Sequence, residues 1–108
     1  TALTGIRNGR INDIPDARSL CRAAVEEALL VAERKGFTFE GDMVERVYAV
    51  AEATSRNRSS MGQDIDRRRP TEIDAINGAI VSYGQELGVS VIVNETLTRL
   101  VRTLQSSI

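Results

Sequence analysis

The stretch Ser59-Ser60-Met61-Gly62-Gln63-Asp64-Ile65-Asp66-Arg67-Arg68-Arg69-Pro70-Thr71-Glu72-Ile73-Asp74-Ala75-Ile76-Asn77-Gly78 decides the fold of this chain. It passes from the densest polar run in the sequence to the cleanest apolar helix pattern. Two hydroxyls open it, three arginines stand in the middle and Pro70 breaks it. Ile73, Ile76, Ile80, Tyr83 and Leu87 then recur at spacings of three and four, the seam that one helix lays against another. Asn77-Gly78 alone would signal a hairpin turn. The seam runs through it unbroken, so a helix is predicted from Thr71, with Gly88 ending it. Gly78 and Gly84 within it predict close approach by another backbone or by a ligand. Ahead of Pro70, a short helix is predicted from Ser59 or Ser60 through Arg67. The polar loop between these helices has a binding reading, because helix N-termini present unpaired N–H groups to small anionic or polar ligands. It has a structural reading too. Ser59 or Ser60 can cap the short helix, Ser60 and Gln63 having capping-box spacing, and Thr71 can cap the next. Glu72 then simply favours the positive end of the helix dipole. The arginine run suits either the C-terminal end of a helix or a phosphate.

Upstream, Thr1 to Asp13 reads as loop or helix end, punctuated by Gly5 and Asn8-Gly9. Pro15 is placed to open a long helix running to about Lys35, with Gly36 as its C-terminal cap. Leu20, Ala24, Ala28 and Val31 form its core stripe, widened by Cys21, Val25 and Ala32. Phe37 to Glu40 is a connector whose phenylalanines are expected in the core. Asp42 and Glu45 form a capping box that starts the next helix, whose apolar face holds Met43, Val44, Val47, Val50, Ala51 and Ala53. Downstream of Gly88, Val89 to Val93 reads as extended. Asn94 is the expected cap of a last helix with Leu97, Leu100, Val101 and Leu104 on its buried face. Five helices, short loops and no paired strand signals predict an all-α helical bundle, one domain over residues 1–108.

Composition narrows the chemistry. A formal net charge of −1 gives no electrostatic case for nucleic acid or for an anionic membrane. No apolar run is long enough to span a bilayer. Cys21 is the only cysteine, so no intramolecular disulfide forms and a reducing, cytoplasmic setting is expected. There is no histidine, which removes His-based acid–base chemistry and most transition-metal sites. Lys35 is the only lysine, and arginine is a poor proton donor. The chain is therefore short of general acids above neutral pH. It opens on Thr1 without an initiator Met or a secretory pattern, which reads as a fragment.

Ser59-Ser60-Met61, Gln63-Asp64-Ile65 and Arg69-Pro70-Thr71-Glu72-Ile73-Asp74-Ala75-Ile76-Asn77-Gly78 closely resemble the C-terminal domain of ketopantoate reductase (2-dehydropantoate 2-reductase). The likeness extends over nearly the whole chain, from Ala2-Leu3-Thr4-Gly5 and Asn8-Gly9 to Val93-Asn94 and Leu97 to Val101. It implies a helical domain of the kind found in 6-phosphogluconate dehydrogenase-like C-terminal domains. It also implies an NADPH-dependent reduction of a 2-dehydropantoate-like 2-keto acid to pantoate, toward pantothenate and coenzyme A. By resemblance, Asn8 and Ser60 are substrate-binding. Glu72 is cofactor-binding, facing the nicotinamide ribose, and is a candidate helper of the proton-donating lysine. That lysine is expected upstream of Thr1, and Lys35, at the far end of the first helix, cannot replace it. NADPH is expected to bind mainly to an N-terminal Rossmann domain that this chain lacks. Gly62 stands where the family usually has a bulkier residue, Arg68 where glycine is frequent, and Ser90 and Ile92 where prolines are frequent. The expectation is an inactive fragment of such a reductase, self-associating or homodimeric. The alternative is a helical dimerisation or interaction module that kept the fold without catalysis.

Overall fold

The computed structural model describes residues 2–107. Among the described residues six helices follow one another: α1 (Arg10–Asp13), α2 (Pro15–Arg34), α3 (Met43–Ala53), α4 (Ser60–Asp66), α5 (Asn77–Leu87) and α6 (Ile92–Ser106). No strand occurs among the described residues, in agreement with the all-α expectation. The long helix α2 is the axis. α1 and α3 pack on each other and on α2, and α5 and α6 do the same.

Local chemistry sets most helix ends. Pro15 occupies the first turn of α2, where its missing N–H costs nothing. At the other end Gly36 takes φ +94°, and Phe37 N donates to Ala32 O while Gly36 N donates to Glu33 O. That is a Schellman closure, and it needs a residue without a Cβ penalty. Asp42 caps α3 by accepting from Glu45 N at 3.1 Å. Gly88, at φ +71°, closes α5 in the same way as Gly36 closes α2, with Val89 N on Gly84 O at 2.8 Å.

Two helix starts depart from expectation, and tertiary bonds explain both. α5 begins at Asn77, well after Thr71. The intervening residues are claimed by α6: Thr71 N donates to Gln105 Oε1 at 2.6 Å, the Thr71 hydroxyl shares that oxygen, and Arg102 Nε donates to Asp74 Oδ1 at 2.6 Å. Ile73, 1% exposed, is the anchor of this coiled segment, and Gly78 N reaches back to its carbonyl at 2.8 Å. Asn94 does not cap α6. Val91 holds the cap position, and Asn94 lies in the first turn, 1% exposed. The carboxylate of Glu27, on α2, accepts from Val93 N and Asn94 N at 2.9 Å each and so caps α6 from a neighbouring helix.

Val31, Val89 and Val91 form the buried core between α2 and α5–α6, flanked by Ile80, Val81 and Leu87. Gly84 is the close approach anticipated in the sequence. A Cβ there would lie 2.5 Å from Val91 Cγ1 and 3.3 Å from Val89 O. Gly84→Ala is therefore expected to lower stability by about 1–3 kcal/mol through overpacking, despite alanine's better helix propensity. Urea unfolding measures this, and an unchanged midpoint would show that Val91 shifts freely. On the α3 side, Val44, Tyr48 and Ala51 are buried. The Tyr48 hydroxyl donates to Arg18 O at 3.0 Å, and the Arg18 guanidinium covers its ring at 3.7 Å.

Several expected core residues are exposed. Phe37 and Phe39 are 62% and 48% exposed, because the Gly36 closure turns the connector outward. Leu20, Ile76, Tyr83 and Leu100 are exposed as well. Lys35 covers the Tyr83 ring at 3.9 Å. Cys21 is half-buried, and burial raises its thiol pKa.

Candidate functional site

The loop bearing Asn8 is stitched to the linker between α3 and α4. Asn8 N donates to Asn57 O at 2.8 Å, its side-chain Nδ2 donates to Thr54 Oγ1 at 3.0 Å, and Gly9 N donates to Ser55 O at 3.1 Å. Gly9 makes this possible: a Cβ on it would sit 2.6 Å from Ser55 Cβ and 3.0 Å from Ser55 Cα. The linker then leads directly into α4. Asn8 is thus tied to a residue three positions before Ser60, which joins the segments carrying the two residues expected to contact substrate.

Ser59 and Ser60 separate cleanly. Ser59 is the cap of α4, its Oγ accepting from Gly62 N at 3.0 Å. Gln63 does not complete a box with Ser60; its Nε2 donates to Arg58 O at 3.0 Å. Ser60 is the first residue of the helix, exposed, and its hydroxyl makes no hydrogen bond among the described residues. A serine at this place that does not cap is available to a ligand.

Glu72 follows the Arg67–Pro70 turn. Arg68 adopts φ +56°, the left-handed region that glycine enters freely. Thr71 and Asp74 are committed to α6, whereas the Glu72 side chain is exposed and makes no ion pair or hydrogen bond among the described residues. No hydrogen bond or ion pair joins Glu72 to Asn8 or Ser60. Asn77 serves the packing of the helices, its Nδ2 donating to Asn94 Oδ1 at 2.9 Å. The Thr-Glu-Ile-Asp-Ala-Ile-Asn motif thus divides into structural residues and one free carboxylate.

Sequence reasoning missed Glu27, Gln105 and Arg58. Glu27 had a signal, since it lies three residues after Ala24 and four before Val31, a carboxylate inside the core stripe of α2. Arg58 carried none. Its guanidinium holds Asp66 through two bonds of 2.9 Å, Nε to Oδ2 and Nη2 to Oδ1. This bonding keeps the Asp66 carboxyl below its ordinary range. A carboxylate whose folded pKa is depressed stabilises above its unfolded pKa and loses that contribution as pH falls through the folded value. The melting-temperature gap between the unmodified chain and Asp66→Asn should therefore be present at neutral pH and shrink below about pH 4. A gap independent of pH would show that the pair contributes nothing as an ion pair.

The arginine run is occupied in part, Arg69 Nη2 meeting Asp64 Oδ1 at 3.0 Å. No group of three metal-ligating side chains gathers among the described residues. The concavities lie elsewhere. A polar groove of about 240 Å³ between α5 and α6 is lined by Ser82, Gln85 and Arg99, and an apolar one of about 370 Å³ by Leu20, Leu97 and Leu100. Asn8, Ser60 and Glu72 line neither. Ser60 and Glu72 are exposed, and Asn8 is partly buried.

Comparison with known proteins gives consistent matches. A family model described as ketopantoate reductase PanE/ApbA C terminal matches residues 1–105. The 2-dehydropantoate 2-reductase of Archaeoglobus fulgidus is 42% identical over 108 residues, which is 100% of this chain and 36% of that protein. Among solved structures, a PanE/ApbA family ketopantoate reductase from Ralstonia eutropha superposes with a TM-score of 0.92 at 33% identity, over 98% of this chain and 36% of that one. A dimeric ketopantoate reductase from Staphylococcus aureus gives 0.87 at 25% identity, over 99% and 38%. The chain spans little more than a third of the length of these relatives.

Proposed function

Because the chain belongs to the ketopantoate reductase C-terminal family, we propose that it forms the substrate-side wall of an NADPH-dependent 2-dehydropantoate 2-reductase. The observation that carries this reading is the division of labour between Ser59 and Ser60. Capping is done by Ser59, which leaves the Ser60 hydroxyl free for substrate. Asn8 adds an amide from the adjoining loop. Neutral donors of this kind suit a ligand bearing a carboxylate, a keto group and a hydroxyl.

The nicotinamide supplies the hydride to the keto carbon when bound. The residues of this chain fit a share of its ribose rather than the whole cofactor. Glu72 is an exposed acceptor without a protein partner among the described residues, suited to ribose hydroxyls, and no Gly-rich phosphate loop is present in the sequence. The same carboxylate would favour the charged form of a nearby lysine and so poise it as the acid that protonates the developing alkoxide. Such a lysine comes from outside this sequence. The setting we assign is cytoplasmic, since the lone cysteine calls for no oxidising compartment. No helix among the described residues is long and apolar enough to cross a membrane.

The complete protein should oxidise NADPH in the presence of 2-dehydropantoate. The isolated chain should neither do so nor bind NADPH tightly, and should self-associate through apolar surface such as the Leu20–Leu100 groove. Calorimetry showing micromolar NADPH affinity for the isolated chain would overturn the assignment of the cofactor to another domain. Sedimentation showing a strict monomer would overturn the association. A complete protein that ignores 2-dehydropantoate would favour the interaction-module alternative, which has the apolar groove in its support and leaves Ser60 and Glu72 unexplained.

A further inference from the structure

Arg58 touches each segment that sets the spacing between Asn8 and Ser60. Its fork closes on Asp66 at 2.9 Å, near the end of α4. Its Nη1 donates to Ile6 O at 3.4 Å, two residues before Asn8. Its own carbonyl accepts from Gln63 Nε2 at 3.0 Å. The side chain, 17% exposed, lies across Gly62, where a Cβ would meet Nη1 at 2.7 Å, Cζ at 2.9 Å and Cγ at 3.1 Å. Gly62 is the room that Arg58 needs.

Taking Asn8 and Ser60 as the substrate contacts proposed above, we infer that Arg58 is a positioning residue for the 2-keto acid: laid across Gly62, it locks the loop carrying Asn8 to the first turn of α4 carrying Ser60. The planar fork matters because it makes two parallel bonds to one carboxylate and leaves Nη1 for the Ile6 carbonyl. A lysine ammonium would be a single point charge and could not hold both sides.

Steady-state kinetics of the complete reductase, with melting temperatures, test this. Arg58→Ala and Gly62→Leu should each raise KM for 2-dehydropantoate about tenfold with kcat within about twofold, the signature of lost uniform binding. The double variant Arg58→Ala/Gly62→Leu should fall well short of the product of the two effects, because both changes break the same contact. Arg58→Lys keeps a stem over Gly62 and loses the fork, so its KM should rise even if Arg58→Ala does not fold. A normal KM in Arg58→Lys or Arg58→Ala, with Ser60→Ala still raising KM, would reduce Arg58 to packing and overturn the inference. Strictly multiplicative effects in the double variant would show that the two positions act separately and would overturn the inference. A normal KM in Ser60→Ala would instead remove the substrate reading itself, and the assignment of Arg58 with it.

Discussion

Glu27→Ala is expected to lower stability by about 3–5 kcal/mol, because it leaves polar groups at a helix junction without their charged partner. Glu27 Oε2 accepts from Val93 N at 2.9 Å, and Oε1 accepts from Asn94 N at 2.9 Å and Asn94 Nδ2 at 2.8 Å. The Asn94 side chain also donates to Ala24 O at 3.0 Å and accepts from Asn77 Nδ2 at 2.9 Å. One carboxylate thus joins α2 to α6, and through Asn94 to α5. It also places a negative charge at the N-terminus of α6, where the helix dipole favours it. Asn94 is too buried to turn to water instead. Small domains have only about 5–15 kcal/mol in total, so the loss is a large share. Glu27→Gln keeps one acceptor oxygen and should cost about half as much. Urea unfolding should show a lower midpoint at an unchanged slope. A midpoint within about 1 kcal/mol of the unmodified chain would show that α6 is closed by packing alone.

Glu72→Ala is expected to lower kcat of the complete reductase about 100-fold, within the usual range for a lost acid–base contribution. The melting temperature should barely move. The Glu72 side chain holds nothing among the described residues, whereas its neighbours Thr71 and Asp74 are bonded to Gln105 and Arg102. A structural Glu72 would give the reverse pattern, an earlier melt at normal kcat.

The fold was legible where the chain makes its own decisions. Pro15, Gly36, Asp42 and Gly88 act through neighbours in sequence, and the helix ends they set lie where expected. The sequence misled where a distant residue intervenes. Thr71 has the chemistry of a cap, but Gln105, far along the chain, takes its N–H and hydroxyl. Asn94 has the same chemistry, but Glu27 reaches the α6 N-terminus first and Asn94 is drawn inside. Phe37 and Phe39 were assigned to the core from their type alone, and the left-handed turn at Gly36 carries them out. The candidate site was legible chiefly by resemblance. Spacing could not separate Ser59 from Ser60, because both stand in front of a short helix. Only the bond from Gly62 N to Ser59 Oγ separates them.

That separation gives the most direct test. Ser59→Ala and Ser60→Ala differ by one position and should fail in opposite ways. Melting temperature and kinetics for 2-dehydropantoate should be measured on both, in the complete reductase. Ser59→Ala should lose about 0.5–2 kcal/mol of stability, the worth of a side-chain cap, and keep its KM. Ser60→Ala should keep its melting temperature and raise KM about tenfold at nearly unchanged kcat. If Ser60→Ala instead melts early with normal KM, the serine is structural, and the substrate wall built on Asn8, Ser60 and Glu72 is contradicted.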